Sequence, residues 1–459
     1  MLRILSLLVL LASYAADSTA KPNILFIYVD DLGYGDLANY GHPVIQTPHL
    51  DELAKSGMRL TNYYAPSALC SPSRAAVLTG RHPYRTGIKS WIPANAGIYL
   101  HAEEVTLAEL LKQAGYNTAL IGKYHLNSDL GSAQEPQPTD QGFDYFYGHN
   151  AFQIPTNRNP TNLYRNGKAL GEQTGFTAQL FADEAIQWLQ QHDKAPFFLF
   201  LSMAEPHTTI ENPDAYNAMY AQYTQGKIVP IPSGQAEPPA DKLIPRGPGE
   251  YYANITYMDA QIGRVLNQLE QQQLSDNTIV VFASDNGPVT SAWLQWYEVN
   301  AYGSTGGLRG RKHLLYEGGI RVPALVRMPG ITQPGSSSDA LVIGNDWFNT
   351  LLAQADVNIP ADRAIDGMDI TAALAGSTSQ PPRQVLWALD SVSELEFAYR
   401  SGDWKLLLDR THTPRELYYL ASDPLEMFNR VADEPSRVAN MRKAFLSTLE
   451  NIVNDPITQ

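Results

Sequence analysis

A single cysteine stands in this 459-residue chain, within Leu69-Cys70-Ser71-Pro72-Ser73-Arg74, which runs straight into Ala75-Ala76-Val77-Leu78-Thr79-Gly80. Ser71 before Pro72 reads as an N-cap followed by the first helical residue, where proline's missing N–H costs nothing. Residues 75–78 are helix formers and Thr79-Gly80 is a stop. Cys70 is therefore expected just ahead of a helix N-terminus, where unpaired N–H groups and the helix dipole favour an anion. Arg74 lies one turn in and can return toward the same spot. Most free cysteines are small buried hydrophobes, but Ser, Pro, Ser and Arg are poor company for that role.

Asp30-Asp31, Lys123 with His125, His207, Asp285-Asn286 and Lys312 are the other groups with chemistry to offer. Asp30, Asp31, Asp285 and Asn286 present oxygen donors only, which suits a hard divalent cation rather than zinc or copper. Each has an ordinary explanation when taken alone. Paired aspartates are common in solvated turns, Asp285-Asn286-Gly287 is a turn signal, and Lys312 beside Arg309 and Arg311 would sit in a solvated basic loop.

The elements that would carry these groups change the odds. Residues 23–29, 117–121, 197–203 and 278–283 are short continuous apolar runs, the pattern of strands buried on both faces of a parallel sheet. Each leads into one of the polar groups. Parallel strands bring their carboxyl ends to one edge, where open α/β sheets bind ligands. Residues 47–57, 106–114, 177–191, 251–272 and 346–355 read as helices, and residues 59–64 as a second strand leading toward Cys70. Residues 127–141 look like a surface loop, 153–175 like an insertion near the site, and 228–249 like another loop. Asn254-Ile255-Thr256 matches a glycosylation sequon but falls inside a helix. Beyond residue 384, short strands at 385–389, 396–399 and 404–408 and a helix at 437–453 predict a small antiparallel α+β unit.

The formal net charge of −14 argues against nucleic acid or an anionic membrane as a partner. It also repels polyanions beyond the screening length of ~8–10 Å, so an anion site must be a local concentration of cations. Residues 1–20 combine Arg3, an apolar run over 4–12 and small residues up to Ala15 or Ala20, the pattern of a secretory signal peptide too short to span a bilayer. No later apolar run is long enough to cross one. A lone cysteine in an exported chain cannot form an internal bridge, and chemical modification would give it a purpose.

Cys70-Ser71-Pro72-Ser73-Arg74 with Thr79-Gly80-Arg81 resembles the C-x-P-S-R and T-G-R signature of the formylglycine-dependent (type I) sulfatases. Further fragments match that family in its own order. Asp30-Asp31 with Gly33-Tyr34-Gly35-Asp36 looks like its first metal motif. Gly122-Lys123-Tyr124-His125-Leu126 looks like its G-K-W-H-L-G box, with tyrosine for tryptophan and Asn127 for glycine. Pro206-His207 is similar to its mid-chain histidine, and Ser284-Asp285-Asn286-Gly287 to its second metal motif. Leu308-Arg309-Gly310-Arg311-Lys312 with Tyr316-Glu317-Gly318-Gly319-Ile320-Arg321-Val322-Pro323 matches its late lysine box. The resemblance covers roughly residues 22–329. It is thinner beyond, where Tyr399-Arg400-Ser401-Gly402-Asp403-Trp404-Lys405-Leu406 resembles the family's C-terminal domain. The motif set looks closest to arylsulfatases and to hexosamine or galactose sulfatases.

That resemblance implies an alkaline-phosphatase-like α/β/α sandwich with a large mixed, mostly parallel sheet, plus a small C-terminal α+β domain with an antiparallel sheet. The expected division is a signal peptide at 1–20, a catalytic domain at 21–375 and the C-terminal domain at 376–459. It implies sulfate monoester hydrolysis by a formylglycine hydrate, made from Cys70 by a formylglycine-generating or anaerobic maturation enzyme, through a covalent sulfo-enzyme intermediate. One Ca2+ would be held by Asp30, Asp31, Asp285, Asn286 and the residue-70 oxygen. Arg74 and Lys123 would hold the formylglycine and the sulfate. His207 and Lys312 would protonate the departing alcohol and bind sulfate oxygens, and His125 would take a proton from the second hydroxyl. The expected location is periplasmic or secreted. Arg158, Arg165, Trp293 and Trp296 suit a sulfated sugar or polysaccharide, though the same aromatics could pack a lid. Two alternatives stay open: a phosphodiesterase or phosphonate hydrolase of the same superfamily, and a glycan-binding protein without turnover if Cys70 stays unmodified.

Overall fold

A computed structural model describes residues 21–151, 157–224, 247–289, 299–377, 383–390 and 393–455. The expected signal peptide, Trp293 and Trp296, and parts of the 153–175 and 228–249 segments lie outside the described residues.

The run at the start of the described chain forms strand β1 (Asn23–Val29), and its alternation explains its uniform hydrophobicity. Ile24, Phe26 and Tyr28 enter one apolar cluster, while Leu25, Ile27 and Val29 enter a second on the other face. A strand between two cores has no polar side. In chain order the remaining strands are β2 (Met58–Leu60), β3 (Tyr63–Tyr64), β4 (Asn117–Lys123), β5 (Tyr145–His149), β6 (Tyr164–Arg165), β7 (Lys168–Ala169), β8 (Phe197–Ser202) and β9 (Thr278–Ser284). They continue with β10 (Ala324–Arg327), β11 (Ser336–Ser338), β12 (Val342–Ile343), β13 (Gln384–Ala388), β14 (Phe397–Ser401), β15 (Trp404–Leu408) and β16 (Pro414–Tyr419).

Ten of them make one sheet in the order β11-β2-β10-β9-β1-β8-β4-β5-β6-β7. The neighbours β9, β1, β8, β4 and β5 all run parallel, so the ends of four polar-tipped strands share one edge. Helices cover both faces. The helices Cys70–Thr79, Leu107–Gln113 and Asp346–Gln354 pack on one cluster, and Pro48–Ser56, Thr177–Gln191 and Pro248–Gln271 on the other.

Two local expectations change. Residues 59–64 form two strands in different sheets, since β2 joins the large sheet while β3 pairs with β12. The 153–175 segment holds the hairpin β6–β7, which extends the large sheet beside β5. The loop at 127–141 is at the surface but half-buried, and the Glu135 carboxylate accepts from the Ser128 and Asp129 N–H groups and the Ser128 hydroxyl within it. Buried polar chain needs such partners. Asn254 of the sequon is buried within its helix.

The strands β13 to β16 form a four-stranded antiparallel sheet. The helix Pro435–Val453 covers one face through Met441, Phe445, Leu449 and Ile452. The other face meets Tyr64, Leu69 and Ile320 of the large unit. At that junction the buried Lys405 ammonium lies 2.9 Å from Glu317 Oε1 and 2.9 Å from Glu426 Oε1. Glu317 also accepts from the Tyr64 hydroxyl at 2.6 Å. Arg309 reaches Tyr418 and the Glu426 carbonyl. The small sheet thus grips residues 309–320, the segment that carries Lys312.

Candidate active site

The turn after β1 is stitched to the ends of its neighbours. The Asp30 N–H donates to the Glu205 carbonyl beyond β8, at 3.2 Å. Asp31 turns left-handed at φ 65°, and its N–H donates to Asp285 Oδ1 beyond β9 at 3.1 Å. Leu32 N–H donates to Ser284 Oγ. These bonds aim both aspartates and Asp285 into one buried spot.

The helix of Cys70 starts two residues earlier than the Ser-Pro pair predicts. Cys70 occupies its first position, extended Leu69 is the N-cap, and no side chain caps it. Pro72 still sits in the first turn, where its missing N–H has no helical partner to lose. Ser71 Oγ is used elsewhere, accepting from the Ile92 N–H at 3.1 Å. The helix ends as expected at left-handed Gly80, where a Cβ would collide with the Phe348 ring. All ten helical residues are buried.

Cys70 Sγ lies 3.4 Å from Asp30 Oδ1 and 3.3 Å from Lys312 Nζ. Burial, then the Asp30 carboxylate, pushes the thiol up to about 12, so it stays protonated. Lys312 Nζ also donates to Asp31 Oδ1 at 2.5 Å. Burial opposes its charge, but Asp31 and its neighbours outweigh that and hold the ammonium well above its usual range. Lys123 Nζ pairs with Asp30 Oδ2. Burial raises the Asp30 carboxyl, yet Lys123, His207 and Arg74 together pull it well below the usual range.

The Arg74 guanidinium is bound to groups on the strand ends. Its Nε and Nη2 donate to Asp285, and its Nη1 to Ser202 Oγ and the Lys123 carbonyl. Its cation lies over the Tyr28 ring.

The two histidines differ in tautomer. His125 Nε2 faces the Ile92 carbonyl at 3.1 Å, so that nitrogen carries the hydrogen. Among the described residues its buried Nδ1 has no hydrogen-bond partner. Burial, with Lys123 and Arg74 adding to it, keeps the ring neutral. His207 Nδ1 donates to the Thr208 carbonyl at 2.7 Å, leaving Nε2 3.7 Å from Asp31 Oδ2. Lys123 and His125 do not share a strand face as a spacing of two would require, because β4 stops at Lys123 and His125 turns left-handed at φ 57°.

Four candidate ligand atoms, from Asp30, Asp31, Cys70 and Asp285, lie within 4.8 Å of one another. Among the described residues, Asp31 Oδ2 and Asn286 Oδ1 are buried without a hydrogen-bond partner. Orphaned buried oxygens cost free energy, and the acids crowd together at two strand ends. Burial, then Asp30, raises Asp285 to about 7. A divalent cation would relieve both problems, so these residues fit a hard metal ion. Oxygen donors agree with that, and sulfur at position 70 is the exception that oxidation to an oxygen group would remove.

A cavity of about 390 Å³ opens over Cys70, lined also by His125, His207 and Lys312. Trp91, Thr208, Thr209 and His313 line it too, and sequence reasoning did not single them out as site residues. Thr208, Thr209 and His313 flank named site residues, a usable signal. Trp91 had none. Ser202 and Asn150, whose Oδ1 accepts from the His125 N–H at 3.1 Å, are further supports.

A ten-stranded, mostly parallel sheet with helices on both faces and a buried acidic cluster at its carboxyl edge, beside a small antiparallel sheet, is the alkaline-phosphatase-like architecture. The family described as Sulfatase matches residues 22–357, and the domain described as N-sulphoglucosamine sulphohydrolase, C-terminal matches residues 310–455. Human arylsulfatase A is 33% identical over 453 residues, covering 92% of this chain and 85% of that protein. N-acetylgalactosamine-6-O-sulfatase of Bacteroides thetaiotaomicron is 30% identical over 481 residues, covering 92% of each. The structure of Ps i-CgsB with k-i-k-neocarrahexaose superposes with a TM-score of 0.79 at 25% identity, covering 96% of this chain and 94% of that one. The chain belongs to the sulfatase family and is a sulfuric ester hydrolase. Among the described residues no helix is long and apolar enough to cross a membrane.

Proposed function

We propose that this chain hydrolyses sulfate monoesters of a sulfated sugar or polysaccharide outside the cytoplasm, with Cys70 converted to formylglycine by a maturation enzyme. One Ca2+ is held by Asp30, Asp31, Asp285, Asn286 and the residue-70 oxygen. Residues 1–20 are the signal peptide, 21–375 the catalytic domain and 376–459 the C-terminal domain. The observation that carries the proposal is the position of Cys70 Sγ, 3.4 Å from Asp30 Oδ1 and 3.3 Å from Lys312 Nζ, in the cavity lined by both histidines. The names of the relatives support a sugar substrate.

When present, the formylglycine hydrate and the cation supply an ionisable hydroxyl and Lewis acidity toward sulfuryl oxygens. The side chains supply the rest. A sulfate monoester carries one negative charge and its alkoxide leaves poorly, so it needs cations at the sulfuryl oxygens and an acid at the bridging oxygen. Lys312 keeps its proton and reaches the residue-70 position, where it binds a sulfuryl oxygen. Lys123 steadies Asp30 and adds positive charge. Arg74 acts through its partners, fixing Asp285 and the strand ends. His207 is the acid. Burial, with Lys312 and Lys123, holds its pKa below the ordinary histidine value although Asp30 and Asp31 raise it, and the charge of the bound sulfate works toward protonation. His125 is the base, because its Nδ1 lone pair is free and its Nε2–H is committed to Ile92.

The test is turnover by the purified, matured protein of matched sulfate and phosphate esters, together with the mass of the residue-70 peptide. Sulfate esters are expected to win in kcat/KM, and the peptide to be lighter than its cysteine form. Faster phosphate ester turnover would transfer the site to the phosphodiesterase or phosphonate hydrolase alternative.

A further inference from the structure

We propose that Trp91 is the platform on which the ring carrying the sulfate ester lies, and that this ring is a pyranose. The proposal rests on the sulfatase reading and deepens it. Trp91 is 45% exposed, and among the described residues it is the only large exposed apolar side chain that lines the cavity over Cys70. A large aromatic left open at a site, rather than buried, is the usual form of an amphipathic contact surface.

Its backbone is not free to wander. The next residue, Ile92, donates its N–H to Ser71 Oγ at 3.1 Å, and its carbonyl meets His125 Nε2 at 3.1 Å. Those partners are the residue after Cys70 and the histidine that faces the cavity. The backbone next to Trp91 is therefore tied to the chemistry through Ile92, a condition for orienting a substrate rather than merely covering it.

The lining is mixed. Leu69, Ala151 and Trp91 are apolar, while Thr208, Thr209 and His313 are polar. A pyranose has an apolar C–H face for an indole and hydroxyls at its edge for such groups. A steroid or alkyl sulfate would cover Trp91 equally but bring no row of hydroxyls to the polar residues of the lining.

The experiment uses matured full-length protein and the variants Trp91→Ala and Trp91→Phe. Substrates are 4-nitrophenyl sulfate, a steroid sulfate and a panel of monosulfated hexoses and hexosamines, with inorganic sulfate as competitive inhibitor. For the preferred sugar, Trp91→Ala is expected to raise KM about tenfold, the scale of one aromatic contact, with kcat nearly kept. Trp91→Phe should stay close to wild type, and inhibition by inorganic sulfate, which has no ring, should not change. An unchanged KM in Trp91→Ala, or weaker inhibition by inorganic sulfate in parallel with KM, overturns the platform. Wild-type preference for the steroid sulfate over every sugar overturns the pyranose. Wild-type protein that hydrolyses none of these esters overturns the sulfatase reading itself, a result distinct from either.

Discussion

Arg74 and Asp285 meet through one carboxylate oxygen, with Nε at 3.1 Å and Nη2 at 2.7 Å from Oδ2. That leaves Asp285 Oδ1 for the Asp31 N–H, while Arg74 Nη1 holds Ser202 Oγ at 2.6 Å and the Lys123 carbonyl at 3.1 Å. One buried guanidinium therefore joins the ends of β4, β8 and β9. Only a planar fork with several donors can do this.

Arg74→Lys keeps the charge and loses the fork. Breaking a buried pair of this kind costs about 3–5 kcal/mol, and misplacing groups at a reacting centre by ~1 Å costs about 10²-fold in rate. A fall in both melting temperature and kcat/KM is expected. If kcat/KM stays within tenfold of wild type, Arg74 does not position the site.

Calcium should stabilise the fold as well as serve the reaction. A ligand at 100 times its Kd adds about 2.7 kcal/mol. The melting temperature should rise with Ca2+, fall with a chelator, and respond less to Mg2+, which demands a tighter octahedral shell. Asp285→Ala should erase the calcium increment. An equal calcium response in wild type and variant would place the ion elsewhere.

Cys70→Ser puts one hydroxyl near the position of an attacking oxygen. It can accept a sulfuryl group, though more slowly than an ionised hydroxyl. With no second hydroxyl on the same carbon, nothing can collapse to expel sulfate. At most one turnover and an adduct heavier by one sulfuryl group are expected by intact-protein mass. Sustained turnover of excess aryl sulfate by this variant would defeat the formylglycine mechanism.

Stability should also carry a pH signature remote from the site. Asp259 accepts the N–H groups of His49 and Leu50 at the start of the helix Pro48–Ser56, at 3.2 and 2.8 Å. Burial raises its carboxyl from 3.8 to about 7 despite those bonds. The folded state therefore binds the proton more tightly than the unfolded one. The stabilisation is complete below the unfolded pKa and is lost as pH rises toward about 7, at a ceiling of roughly 1.4 kcal/mol per unit. Asp259→Asn does not titrate, so the stability gap between wild type and variant should shrink from pH 5 to pH 8 in denaturant melts. A constant gap would mean that Asp259 is ionised throughout.

The chain itself determined a good deal of this. Short continuous apolar runs rich in β-branched and aromatic residues read as strands with two covered faces, which put Asp30-Asp31, Lys123 and Asp285-Asn286 at strand ends, and Thr79-Gly80 read as the stop of the helix of Cys70. Those are local properties of neighbouring residues. Tertiary structure alone decided what Arg74 grips 211 residues away, which His125 nitrogen is free, how Lys405 braces the Lys312 segment from 88 residues beyond Glu317, and that Trp91 opens onto the cavity. It also moved the helix start to Cys70, made two strands of residues 59–64 and added the hairpin β6–β7 to the sheet. The physical reason is common to all of these. Periodicity and turn chemistry act over a few residues, whereas a side chain's partner, tautomer and exposure depend on what the fold packs against it.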